Sequence, residues 1–405
     1  MPLSRRSFLN AALPSKDAPF PAAFVAARGR EASVAEAVSP AQDAASLSNI
    51  AEIKIDSNEN PLGPGRAAME AFVRAFPDAC RYPTNARPSM GDLRETIARH
   101  LSVRPENVSL GSGSWELLRT AVRLYVSSSR HLVTASPSFE QPERMAEQLG
   151  LPAKRVPVDA DGRLDLDRMA QAARWGGLVF FCNPNNPTGG VHSAKAVADF
   201  VARVRRESPE TAILIDEAYH EYVTDPGYAT ALPLALEHPN VFITRTLSKA
   251  YGMAGLRVGY AVGQARTIEG FNRWAITFNQ NSLTVAAAIA ALGDPAHVEA
   301  ESARNAEVRR FTVGRLQDLG CRVMPSETNF VFAEVGRPAR AFKEACAEHR
   351  VMVGREFPPL EKTHARISLG TMDEMKRATE VFSTVLRGPK PLGEGASPAS
   401  TASSR

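Results

Sequence analysis

From Asn107 to Gly263, short apolar runs alternate with stretches whose apolar residues recur every three or four positions. "NVSL" precedes the helical pattern "SWELLRTAVRLYV", and "HLVTA" precedes "FEQPERMAEQLG". "GLVFFC" precedes a helix beginning near Ser193, and "AILID", "VFITR" and "LRVGYAV" follow. The runs Leu178–Cys182 and Ala212–Asp216 are apolar without alternation, the pattern of strands covered on both faces. Strand and helix patterns in this order predict an α/β architecture, a mostly parallel sheet flanked by helices.

After Pro295 the pattern changes. A long helical stretch over 296–319 leads into "CRVMPSETNFVFAEV", a helix around Arg340–His349, the strands "VMVG" and "ARISLG", and a last helix from Asp373. This α+β pattern predicts a smaller C-terminal domain over 295–387, after an N-terminal arm over 51–84 and a large domain over 85–294. The stretch 388–405, rich in Gly, Pro, Ser and Ala, reads as a disordered tail. Residues 1–50 read as a disordered leader. Within it "SRRSFLN" (4–10) resembles a twin-arginine export signal, but Pro14, Lys16 and Asp17 interrupt the apolar stretch such a signal carries. Export to the periplasm and a cytoplasmic protein with two incidental arginines both stay open.

Composition narrows the functional classes. The chain has 405 residues, 44% hydrophobic, enough to bury a large core, and a formal net charge of +4. It carries no concentrated basic run with interleaved aromatics, so nucleic-acid binding is not suggested. Its apolar runs fall short of the ~18 residues of a membrane span. Cys80, Cys182, Cys321 and Cys346 are scattered and form no CxxC pair, so neither a zinc site nor a disulfide framework follows, and no metal is expected.

In open α/β sheets ligands sit beyond the carboxyl ends of the strands, so the polar residues there bear the chemistry. After "NVSL" come Gly111, Ser112, Gly113 and Ser114 at a helix start, which suits a phosphate but also suits a plain turn. "NPNNPTG" (183–189) follows "LVFFC"; Asn186 can hold an amide towards a ligand, or the segment is only a stiff turn. Asp216 ends "AILI", with Tyr219 three residues on; a buried carboxylate there calls for a cation, and a helix N-cap is the alternative. Lys249, in "TLSKAYGMAGLRVGY", follows a buried strand and precedes Arg257. A lysine in a protected pocket has its pKa lowered and attacks aldehydes as a free amine. An aldehyde bearing a phosphate, a pyridine nitrogen and a phenolic oxygen would use all these loops, and pyridoxal phosphate is that molecule.

The motifs "NPNNPTG", "IDEAY" and "TLSKAYGMAGLRVGY", in this order, resemble the signature of fold-type-I pyridoxal-phosphate aminotransferases of class I/II. Among these the chain is similar to the histidinol-phosphate aminotransferase group, from "SNENPLGP" (57–64) to "ARISLGT" (365–371). The resemblance implies an amino donor and an oxo-acid or carbonyl acceptor. It implies that Lys249 holds the cofactor as a Schiff base and moves the proton, and that Asp216 pairs with the ring nitrogen. Asn186 and Tyr219 would hold the phenolic oxygen. Ser248, Arg257 and the amides around Gly113, Ser114 and Trp115 would bind the phosphate, and Phe139 would stack on the ring. Tyr82 would reach the cofactor of a partner subunit, implying a homodimer. Asn60, Arg355 and Arg366 would face the substrate, Arg366 gripping its carboxylate or equivalent group and Arg355 meeting a second anion.

Four departures gather around the substrate. Trp115 stands where that group often has Asp, Phe139 where Tyr is commoner, and Leu62 where a tyrosine is common; Pro358 and Pro359 follow Arg355. They leave transamination in place and leave the substrate open between histidinol phosphate and a related amino acid. A decarboxylase of the threonine-phosphate type is the alternative within the scaffold. A cofactor-sensing regulator would need a helix-turn-helix, which residues 1–50 do not show. A nucleotide-binding oxidoreductase would need a later glycine after Gly111–Gly113 and would give Lys249 no task.

Overall fold

The computed structural model describes residues 52–388, so the expectations for the leader and the tail lie outside the described residues. The first strand, Ile53–Ile55 (β1), pairs in parallel with a strand close to the other end of the chain. The central sheet is built from Val108–Ser112 (β2), His131–Ser136 (β3), Ala153–Pro157 (β4), Gly176–Cys182 (β5), Ala212–Asp216 (β6), Val241–Thr246 (β7) and Val258–Gly263 (β8). Its order is β2-β8-β7-β6-β5-β3-β4, and β8 alone of the seven runs against its neighbours. The expectation of a mostly parallel sheet flanked by helices holds.

Continuous apolar strands let both faces be covered. Val179 and Phe181 of β5, with Ile213 and Ile215 of β6, join one core with the helices Met90–His100, Ala194–Glu207 and Ser282–Leu292. Leu178, Phe180, Ala212 and Leu214 point the other way, onto the helices Ser114–Tyr125, Gln141–Gln148 and Ala265–Trp274. Strand β4 has no such run: Lys154 and Arg155 are exposed at the sheet's edge, where charges deter further pairing, and its periodicity is correspondingly mute.

The C-terminal part holds the long helix Pro295–Asp318, the strands Arg322–Val323 (β9), Phe330–Glu334 (β10), Val351–Val353 (β11) and His364–Ser368 (β12), and the closing helix Met372–Arg387. Strands β12-β10-β9 form an antiparallel sheet, and β11 is the partner of β1. Ile53 and Ile55 therefore share a core with Val331, Ala365, Ile367 and Phe382. Within β12, Ala365 and Ile367 enter that core while Arg366 faces away, as strand alternation requires. No helix among the described residues is long and apolar enough to cross a membrane.

Candidate active site

The carboxyl ends of β5, β6 and β7 lie side by side. Cys182 is in register with Asp216, and Asp216 with Thr244. The chain leaving β7 carries Ser248 and Lys249 past this edge, then returns as β8, whose first residue follows Arg257. Because β2 runs against β8, Gly113 emerges at the same edge, with its N–H bonded to the Arg257 carbonyl at 3.0 Å. These ends line a cavity of about 590 Å³.

Lys249 is half-buried, and its Nζ donates to the Asn58 carbonyl at 3.0 Å. Burial, and then the positive charge of Arg366, bring its pKa down to about 8. Asp216 is buried, and the Thr244 hydroxyl donates to its Oδ1 at 2.9 Å. Burial pushes its carboxyl up to about 7 against the Thr244 bond, with neighbouring Glu217 adding to the rise. Such a carboxyl is poised to ionise when a cationic group arrives beside it.

Tyr219, Asn58, Asn186 and Arg366 form one buried chain of contacts. The Tyr219 hydroxyl accepts from Asn58 Nδ2 at 3.0 Å and from Asn186 Nδ2 at 3.3 Å. Arg366 Nη1 donates to Asn186 Oδ1 at 2.9 Å and Nη2 to the Asp56 carbonyl at 2.6 Å. Its guanidinium lies 4.8 Å from the Phe357 ring centre and 5.7 Å from that of Phe330. Among the described residues no carboxylate forms an ion pair with Arg366, and burial brings its pKa down to about 10. A buried guanidinium without a counter-ion, on a cavity wall, is set to receive an anion.

A second stretch of the lining suits a phosphate. Gly113 has φ +71°, and a Cβ there would stand 2.1 Å from Arg257 Nη2. A Cβ on Gly259 would stand 2.2 Å from the Ser114 nitrogen. Both positions thus need glycine, one for backbone conformation and one for close approach. The helix Ser114–Tyr125 has no side-chain cap, so its first N–H groups are left for a ligand. Arg257 Nη1 donates to Ser248 Oγ at 3.3 Å.

Lys249, Asp216, Tyr219, Asn186, Ser248, Arg257, Ser114, Trp115, Phe139, Arg355 and Arg366 all stand on the cavity wall. Asn60 does not: its amide donates to the Ala250 carbonyl at 3.1 Å and its Oδ1 accepts from the Leu62 N–H at 2.9 Å. The structure places it as a brace for the loop after Lys249. Tyr82 also lies away from this cavity, 66% exposed and stacked on Phe278 with ring centres 5.0 Å apart. Arg355 is on the wall but already paired, its Nη2 donating to Glu140.

Sequence reasoning misses Asn58, Thr244 and Glu140. Asn58 sits in "SNENPLGP" with φ +55°, a conformation asparagine tolerates, and is tied to Ser368 by its N–H at 2.9 Å and its Oδ1 at 2.6 Å. Thr244 carries the signal of a hydroxyl inside an apolar run, opposite Asp216 on the next strand. Behind Asp216, buried Glu217 pairs with Arg245 at 2.9 Å and accepts from the Ala231 N–H at 2.6 Å.

The chain matches the family model for aminotransferase class I and II over residues 51–382. It is 36% identical over 337 residues to the histidinol-phosphate aminotransferase of Moorella thermoacetica, covering 83% of this chain and 84% of that one. It is also 36% identical over 344 residues to that of Symbiobacterium thermophilum, covering 85% and 91%. The crystal structure of histidinol-phosphate aminotransferase from Sinorhizobium meliloti in complex with pyridoxal-5'-phosphate matches with a TM-score of 0.77 and 29% identity, over 85% of this chain and 96% of that one. The site fits that cofactor by its own chemistry. A buried carboxyl held near neutrality answers a ring nitrogen, a depressed lysine answers an aldehyde, and a glycine-lined helix start answers a phosphate. Since the family match spans most of the chain and its cofactor fits the strand-end cavity, the protein belongs to the class I and II aminotransferases, pyridoxal-phosphate enzymes that move an amino group from a donor to an acceptor.

Proposed function

We propose that this aminotransferase works at the strand-end cavity on amino compounds whose anionic group is gripped by Arg366. Histidinol phosphate and related amino acids are the first candidates, given the names of its relatives. The observation that carries the reading is Arg366 itself, buried on the wall with no carboxylate partner among the described residues. A planar guanidinium binds carboxylate or phosphate through two parallel N–H bonds, so it orients the substrate as well as holding it.

Pyridoxal phosphate, when bound, supplies an electron sink for the bond-breaking at the substrate carbon. The chain's own residues do the rest. Lys249 binds the cofactor and holds or releases a proton at Nζ, which its lowered pKa permits near neutral pH. Asp216 would pair with the ring nitrogen and keep it protonated, and Asn186 and Tyr219 would hold the phenolic oxygen. Gly113, Ser114, Trp115, Ser248 and Arg257 would hold the phosphate, and Phe139 would stack on the ring. The Asn58 carbonyl orients the Lys249 amine.

Tyr82, exposed and stacked on Phe278, is available to a second copy of the chain, which favours a homodimer with shared sites. Residues 85–294 and 295–387 act as large and small domains, with 51–84 as an arm whose first strand is paired to the smaller one.

The test loads the protein with pyridoxal phosphate, adds histidinol phosphate or single amino acids, and follows the visible spectrum to the cofactor's amine form. A 2-oxo acid should then restore the first spectrum. Release of carbon dioxide with no such restoration would replace this reading with a decarboxylase of the threonine-phosphate type. Equal conversion with neutral amines would remove Arg366 from substrate binding.

A further inference from the structure

The cavity wall carries two arginines in different states. Arg366 has no carboxylate partner among the described residues, whereas Arg355, just past β11, donates to the Glu140 carboxylate across 215 positions of sequence. Arg355 makes two further contacts: Nη1 donates to the Glu356 carbonyl at 3.1 Å, and its guanidinium lies 4.2 Å from the Phe357 ring centre. Glu140 precedes the helix Gln141–Gln148 and follows Phe139, so it belongs to the same segment that puts Phe139 on the cavity wall. Its side chain is the more covered of the pair, 19% exposed against 42% for Arg355.

We propose that Glu140 is a built-in counter-ion for Arg355, and that the pair selects substrates with one anionic group over those with two. The inference rests on the transaminase reading above. A second anion that reaches Arg355 meets the Glu140 carboxylate already bonded there, so it either displaces Glu140, exchanging one charged contact for another, or shares the guanidinium with it against the repulsion of like charges. Selection of this kind rejects the wrong ligand through a group already in position. The displaced carboxylate has Arg144 3.5 Å away, so the exchange is disfavoured without being blocked.

Position supports the same reading. Glu140 and Arg355 also line a neighbouring cavity of about 460 Å³, with Pro137, Glu143, Arg155 and Pro358. The pair therefore lines both cavities. A substrate with one anion at Arg366 leaves the pair untouched. A longer substrate that carries a second anion to this end of the cavity meets it.

The experiment compares holoenzymes of the natural protein and Glu140→Gln. One readout is kcat/KM for 2-oxoglutarate against a 2-oxo monocarboxylate such as 2-oxoisocaproate. The other is calorimetric binding of the unreactive pair glutarate and butyrate. The dicarboxylate-to-monocarboxylate ratio should rise by about tenfold in both, the size of a gained charge-assisted hydrogen bond. The gain should vanish in Glu140→Gln/Arg355→Gln. Should Glu140→Gln fail to fold, Glu140→Ser makes the same comparison. An unchanged or lower ratio, or a gain that survives loss of Arg355, would overturn the proposal. Absence of turnover on every acceptor would instead strike the transaminase reading, and the calorimetric ratio would still decide the role of Glu140.

Discussion

Lys249 should titrate near pH 8 in the cofactor-free protein, against 10.5 for an ordinary lysine. Burial is the first cause and the charge of Arg366 the second; Glu59 and Asp216 pull the other way, and Arg257 adds to the lowering. At pH 7 a pKa near 8 leaves about 10% of the amine neutral, against ~0.03% for an ordinary lysine, so the nucleophile is roughly 300 times more abundant. Trace acetylation with acetic anhydride from about pH 6 to 11, read by mass spectrometry of the Lys249 peptide, measures this titration directly. Free N-acetyl-lysine amide added to the mixture serves as the internal standard. Half-maximal labelling should fall near pH 8, and Arg366→Met should move it upward by removing a positive neighbour. The same shift sets a stability slope. The unfolded chain binds more protons than the folded one between about pH 8 and 10.5, so the stability of the cofactor-free protein should rise with pH across that window. A midpoint at or above about 10 would mean that the amine is fully hydrated, and the burial argument would fall. An unmoved midpoint in Arg366→Met would show that the two cations do not sense each other across the cavity.

Two other outcomes follow from neighbouring groups. Arg245→Met should cost about 3–5 kcal/mol in urea unfolding, because it strands the buried Glu217 carboxylate that Arg245 now pairs at 2.9 Å; a loss under about 1 kcal/mol would mean that water or Thr230 suffices. Gly113→Ala should weaken pyridoxal-phosphate binding by roughly 10–100-fold in an equilibrium titration, since the new Cβ is strained at φ +71° and displaces Arg257. Unchanged affinity would remove this turn from the phosphate site.

How much of this was legible in the sequence depends on how far each signal travels along the chain. Asp216 is legible because it is polar at the end of an apolar run, and Lys249 because it follows a buried strand by a few positions, so the two strands deliver them to one edge. Arg366 is legible because Ile367 and Leu369 show the alternation that turns it the other way. Asn58 is not, because what it offers Lys249 is a backbone carbonyl from 191 positions away, and any residue has a carbonyl. Glu140 is equally mute, since its meaning lies in Arg355, a partner brought near only by the finished fold.

The direction of β8 is the instructive case. An apolar run reads the same forwards and backwards, so periodicity cannot say that β8 opposes β7. The connection can. A parallel neighbour needs a crossover of a dozen or more residues, usually a helix, and the short loop between Thr246 and Val258 is taken up by Ser248, Lys249 and a single helical turn at Ala254–Leu256. The chain must therefore turn back beside β7. That reversal has a chemical consequence, because it returns Arg257 to the edge that Lys249 has just left, where its Nη1 meets Ser248 at 3.3 Å and Gly113 bonds its carbonyl. Had β8 continued in parallel, its start would lie at the far edge of the sheet, and a cation at position 257 would face the wrong side for the phosphate. The one strand that breaks the parallel order is the one that gathers the lysine, the arginine and the helix start around a single cavity.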